Sequence, residues 1–169
     1  MDAARWFKHL LATHWRTRRK FPRAAQDAIE QAIARAERSH AGQIRFAIET
    51  ALTPPQLWHG VSARERALEV FAALRVWDTA DNNGVLIYVQ IADRVVEVVA
   101  DRGFQARVSA AEWQGVCRLM EEDYRAGRFE AGSVAGVEAV GRLLARDFPA
   151  PSAAASAAGN ELPDRPTLL

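Results

Sequence analysis

The sequence predicts an α/β fold: a three-layer α/β/α sandwich around a small mixed β-sheet with a central hairpin. Three observations lead there. Helix-period apolar stripes lie on both sides of the middle of the chain. Residues 85–91 form a nearly continuous apolar run, as in a strand covered on both faces. A second β-branched run, 94–100, follows after only Ala92 and Asp93, a connection short enough to demand antiparallel pairing. Helices packed on both faces of such a sheet give three layers.

Trp6, Phe7, Leu10, Leu11 and Trp15 make one stripe of a helix over residues 3–16. Pro22 interrupts that pattern and opens a second helix, with Ala25, Ala28, Ile29, Ala32, Ile33 and Ala36 on its apolar face. Alternation at Ile44, Phe46 and Ile48 predicts a strand, and Thr53-Pro54-Pro55 a loop. Ser62 with Glu65, and Ser109 with Glu112, are capping-box pairs that open helices. The first of these helices is expected to bury Ala67, Leu68, Phe71, Ala72 and Leu74. The second runs to about Arg125. A last helix spans about Glu130 to Arg146, where Gly132 and Gly136 leave a smooth patch for a close neighbour. Three segments result: a basic amphipathic N-terminal helix (1–20), a folded domain (21–148) and a Pro-, Ala- and Ser-rich tail (149–169) expected to be disordered.

Charge is unevenly spread. Residues 1–23 hold seven Lys and Arg against one acid, a local charge of +6 in a chain of net charge +1, so the remainder carries −5. A basic end on an acidic body suits an anionic surface, although a solvated basic helix explains it equally well. The single cysteine, Cys117, excludes an internal disulfide and a cysteine-rich zinc site, and reads as a small core residue. The four histidines read as surface or helix-end residues. No secretory leader or membrane span is expected, and the chain reads as cytoplasmic. No phosphate loop, dinucleotide fingerprint or catalytic triad is present in the sequence.

Carboxylates are the residues with the most chemistry. If residues along the hairpin ladder pair with numbers summing to about 185, Gly84 faces Asp101. Asp78, Asp81 and Asp101 then gather at one end, where a hard cation such as Ca2+ or Mg2+ finds oxygen ligands. The plainer reading makes Asp78 and Asp81 turn formers and pairs Asp101 with Arg102 or Arg94.

The segment 81–88, then Ala92-Asp93-Arg94, then Ala100-Asp101-Arg102-Gly103, resembles the core signature of the TPM domain: an Asn-Gly-Val-Leu strand, an Asp-Arg turn, and a strand ending in an acid before glycine. Residues 124–132 resemble that family's aromatic-Arg-x-Gly-x-aromatic-x-x-Gly stretch. The resemblance runs from about Phe21 to Phe148 and is nearest a short bacterial branch with a Trp-Arg-x-Arg-Arg segment, here residues 15–19. It implies an α/β/α sandwich. It also implies roles that differ between members: acid phosphatase, divalent-cation binding, and assembly or repair of membrane protein complexes. Members commonly carry Gly-Glu before the first strand, whereas this chain has Gly42-Gln43, which implies weak or absent phosphatase activity.

Two functions are carried forward. One is a binding or accessory module at the cytoplasmic membrane surface, meeting a protein partner, a membrane protein among the candidates, or anionic lipid. Its contacts would be Trp6, Trp15, Arg16, Arg18, Arg19 and Lys20. Against that stands a core placement of Trp6, Phe7 and Leu10 on the sheet, the favoured position for an apolar stripe. The other function is a divalent-metal-dependent, acid-phosphatase-like hydrolase using Asp78, Asp81 and Asp101, for which no catalytic nucleophile is evident. Nucleic acid is disfavoured by the acidic body.

Overall fold

A computed structural model describes residues 3–105, 107–149 and 160–169. Among the described residues the sheet has four strands, in the order β3-β2-β1-β4. They are β1 (Gln43–Glu49), β2 (Gly84–Gln90), β3 (Val95–Ala100) and β4 (Thr167–Leu168). β1 runs parallel to β2 and to β4, while β2 and β3 form the antiparallel hairpin. The ladder pairs Val85 with Ala100 and Gln90 with Val95, the register expected from the sequence. All seven residues of β2 are buried, as its continuous apolar run requires.

Alternation along the strands splits the core into two layers. Ile44, Phe46, Ile48, Val85, Ile87, Val89, Val96 and Val98 face α3 (Arg23–Ala36), α6 (Ala110–Arg125) and α7 (Phe129–Asp147). Ala47, Leu86, Tyr88 and Val99 face α5 (Ala63–Ala73). Both serine capping boxes are formed, each with the serine hydroxyl and the glutamate serving the opposite backbone N–H. α5 buries Ala67 and Val70, while Leu68 is 47% exposed, so its inward face is rotated from the expected one. α6 crosses α7 at the glycine patch: a Cβ on Gly132 would meet Asp123 Cβ at 2.6 Å, and one on Gly136 would collide with Met120.

Three elements differ from expectation. The N-terminal segment is two short helices, α1 (Ala3–Leu11) and α2 (His14–Lys20). The chain breaks at Ala12-Thr13 because Thr13 Oγ1 accepts the Arg16 N–H and starts a new helix. The Thr53-Pro54-Pro55 segment opens a one-turn helix, α4 (Pro54–Trp58), with a Thr53–Gln56 capping box and prolines in the first turn, where their missing N–H costs nothing.

The disordered tail expected over 149–169 is also corrected at Pro149 and over 160–169. Pro149 bridges His40. Residues 160–169 lie along the β1 edge, with Leu162 buried on the α5 side of the sheet. Gln43 Oε1 accepts the N–H groups of Glu161 and Leu162, and Arg45 donates to the carbonyls of Pro163 and Arg165 and to the Thr167 hydroxyl. Residues 150–159 fall outside the described residues. Packing thus does not stop at 21 and 148, since α1, α2 and the 160–169 segment all bond to the sheet or its connections.

Candidate functional site

The two ends of β2 carry the two sets of candidate residues. At the amino end lie Asp78, Asp81 and Asp101. Asp78 turns outward to Arg75, 2.6 Å away. Asp101 caps the 3-10 turn Arg102–Phe104: its Oδ1 accepts the Arg102 N–H at 2.7 Å, and its Oδ2 is buried with no hydrogen-bond partner among the described residues. The loop and the turn are joined through Asn82 instead of through carboxylates. Asn82 Oδ1 accepts from Arg102 Nε at 2.8 Å, and its carbonyl accepts the Gly103 N–H. Glu161, from the distant 160–169 segment, caps the same loop at the Ala80 N–H. Among the described residues no three His, Cys, Asp or Glu side chains converge as a metal shell does, so Asp78, Asp81 and Asp101 are neighbours without being brought together.

The carboxyl ends of β1 and β2 are covered by α1 and α2, whose orientation is the reverse of the usual amphipathic one. Their buried residues are His9 and Thr17. His9 Nδ1 accepts the Leu52 N–H at 2.9 Å, which leaves the proton on Nε2, 3.1 Å from Asp93 Oδ1 in the β2–β3 turn. Arg5 donates to Asp93 at 3.0 Å and to the Val61 carbonyl at 2.8 Å. The Thr50 hydroxyl at the end of β1 donates to Thr17 Oγ1 at 3.0 Å, with His14 Nδ1 3.2 Å away. These polar attachments turn the apolar stripe to solvent. Phe7, Leu10, Leu11 and Trp15 are each 63% to 66% exposed, and only Trp6 is half-buried. The core placement of Phe7 and Leu10 is therefore corrected. Arg16, Arg18 and Arg19 are exposed beside them, with the Arg19 guanidinium 5.5 Å from the Trp15 ring. Lys20 is half-buried, its ammonium 4.8 Å from the Phe129 ring.

Two buried polar groups went unrecognised in the sequence. His9 and His40 are interior, a burial that the reading of the histidines as surface or helix-end residues did not include, although His9 does lie in the last turn of α1. Burial pushes His40 down to about 4. On the α5 side, Glu49 is gripped by Arg66 Nε and Nη2 at 2.8 to 3.1 Å and also accepts from the Tyr88 hydroxyl, to which Gln90 donates. Burial and the Glu49 bond raise the Tyr88 phenol, and Glu49 raises Arg66, so the phenol stays neutral and the guanidinium charged. The cluster fastens α5 to β1 and leaves no acid or base free. Cys117 packs against the core, and burial followed by Glu97 pushes its thiol up to about 11, so it is no nucleophile near neutrality.

The TPM domain family model matches residues 19–143. The chain belongs to the TPM domain family. The matched span holds β1, β2, β3 and the helices packed on them, together with Asp78, Asp81 and Asp101, but it begins after α1 and ends before β4. The TPM domain is also similar to the BA42 protein of the psychrophilic bacterium Bizionia argentinensis, known from an NMR structure. Identity is 29% over 86% of this chain and 93% of that one, with a TM-score of 0.73. The N-terminal domain of a P. gingivalis protein, structural-genomics target PgR37A, shares the fold at 20% identity, covering 73% of this chain and 76% of its own, with a TM-score of 0.55. No curated protein matches.

Proposed function

We propose that this TPM domain is a binding module that docks on anionic membrane surface through α1 and α2, serving there as an accessory to a protein complex. The observation that carries the reading is the outward stripe of Phe7, Leu10, Leu11 and Trp15 beside Lys8, Arg16, Arg18 and Arg19. Contiguous exposed apolar surface marks an interaction site. Flanking lysines and arginines suit the negative surface potential of anionic lipid, each contributing on the order of 1 kcal/mol. Insertion would be shallow, as for interfacial helices, and among the described residues no helix is long and apolar enough to cross a membrane.

The test is co-sedimentation of the full chain with vesicles of phosphatidylglycerol and phosphatidylcholine, against phosphatidylcholine alone. Binding to the anionic vesicles only is expected, weakening as the screening length falls from ~10 Å at ~0.1 M salt to ~3 Å at ~1 M. A triple change, Phe7→Ser, Leu10→Ser and Leu11→Ser, is expected to abolish it with the melting temperature kept, since these side chains face solvent. Failure of the full chain to sediment at low salt overturns the reading.

A second reading, the divalent-metal-dependent acid-phosphatase-like hydrolase, is favoured by one observation, the buried and unpartnered Asp101 Oδ2. Calorimetric titration with Ca2+ or Mg2+ tests it: heat that Asp101→Asn removes supports a cation there, and identical heats in wild type and variant count against it.

A further inference from the structure

Behind α2 a cleft of about 230 Å³ opens at the carboxyl end of β2, lined by Lys20, Ile91, Arg94, Tyr124, Arg125 and Phe129. Open α/β sheets place their ligands at the carboxyl ends of parallel strands, and β1 and β2 are the central parallel pair. The charge inside is unbalanced. Glu121, the carboxylate on the wall, is already engaged by the Val96 N–H at 3.1 Å and by Arg125 at 3.1 Å. Asp93, just beyond, is taken by Arg5 and His9. Among the described residues no carboxylate pairs with Lys20, Arg94 or Arg16. Burial, then Arg94, then Arg16 lower the Lys20 ammonium, which is therefore crowded by like charges. Arg94 is held in the left-handed region, φ 58°, where a long side chain is uncommon.

The walls leading out of the cleft indicate what the anion is attached to. Lys20 is shared with two adjoining hollows, one reaching Leu11 and Arg16 and the other Trp15 and Arg19. A group seated on Lys20 and Arg94 thus has its remainder directed along exposed Leu11 and Trp15. We propose that this cleft seats the phosphate of an anionic phospholipid on Lys20 and Arg94, with the glycerol and acyl portion laid toward Leu11 and Trp15. The seat rests on the membrane reading and deepens it, converting a diffuse charge attraction into recognition of one lipid molecule. Lys supplies a point charge and Arg a fork of donors, the usual pair for a phosphate diester.

The probe is dihexanoyl phosphatidylglycerol below its micellar concentration, titrated into the full chain by calorimetry and by amide shifts. Glycerol phosphate, inorganic phosphate and dihexanoyl phosphatidylcholine serve as comparators. Wild type is expected to bind the soluble lipid in preference to all three. Lys20→Gln and Arg94→Asn each weaken it by about tenfold, as for loss of a charge-assisted hydrogen bond. Asn suits φ above zero, so Arg94→Asn keeps the turn. Arg35→Gln, an equal charge loss on α3 outside the cleft, leaves affinity within about twofold. Equal affinity in the cleft variants and wild type overturns the seat. So does glycerol phosphate binding as tightly as the lipid, which makes the cleft a site for free phosphate. The two readings separate on vesicles: sedimentation unaffected by Arg94→Asn overturns the seat and keeps the peripheral module. Cleft-dependent capture of the soluble lipid by a chain that ignores vesicles supports the seat and overturns the peripheral module.

Discussion

His9 Nε2 lies 3.1 Å from Asp93 Oδ1, and that pair clips the first helix to the turn between β2 and β3. Asp93 also holds Arg5, so one carboxylate fixes α1 at two points. Asp93→Ala is expected to cost about 1–3 kcal/mol, the range for stranding buried polar partners. The loss should be local. Amide exchange across residues 3–11 is expected to accelerate far more than across β2, and unchanged exchange there would mean that α1 is held by something else.

The Arg66–Glu49 pair predicts a sharper effect. Glu49 is buried and Arg66 only partly open. Arg66→Met strands a carboxylate beside the Tyr88 hydroxyl and is expected to destabilise by about 3–4 kcal/mol, the lower part of the range for broken buried pairs. Adding Glu49→Gln should restore much of the loss, because the stranded charge is gone. Urea unfolding of the two single variants and the double measures this, and additive losses would contradict it.

The 160–169 segment is expected to be a stabilising part of the domain. Leu162→Ala removes a buried side chain and should cost about 2 kcal/mol or more. Arg45→Ala frees the segment from the β1 edge and should expose residues 160–169 to limited proteolysis while the rest resists. An unaltered cleavage pattern would show that Gln43 and Leu162 suffice.

The half-buried Glu37 and the buried His40 make opposing pH predictions. Burial pushes Glu37 up to about 7 from 4.5, despite the Ile44 N–H it accepts. Its folded form holds the proton more tightly, so its contribution is full below about pH 4.5 and is lost as pH rises through about 7. His40, pushed down to about 4 from 6.5, contributes fully above about pH 6.5 and loses that as pH falls to about 4. In wild type the two partly cancel. Glu37→Gln is expected to steepen the loss of stability on acidification, and His40→Gln to reverse it, each by on the order of 1–3 kcal/mol. Urea midpoints near the two ends of this range read the sign directly.

Legibility followed locality. The hairpin register and both serine capping boxes were readable, because each depends on residues a few positions apart and on a fixed period. The Thr53–Gln56 box obeys the same rule, but the two prolines that follow Thr53 signal a loop more strongly. Periodicity showed that Phe7, Leu10, Leu11 and Trp15 share a stripe, but a stripe has no sign. Which side faces inward was decided by His9, Thr17 and Arg5 finding partners at positions 50, 52, 61 and 93. The attachment of residues 160–169 is equally non-local, since Gln43 lies more than a hundred positions from Glu161 and the intervening composition signals no strand. At the carboxylate end the ladder register was right, but Asp78 pairs with Arg75 and Asp101 Oδ1 caps the turn at Arg102, partners that strand register does not foretell.

The placement of β4 sets the order in which the sheet can be completed. Ala47 and Ile48 pair on one side with a strand about 40 residues later and on the other with Thr167 and Leu168, about 120 residues later. At a synthesis rate of about 5–20 residues per second, β1 emerges roughly 6–24 s before the segment that covers its second edge. Through that interval the nascent chain displays an open row of β1 amides and carbonyls, the template on which strands of other molecules add. Of the four strands described, β1 is made first and sealed last.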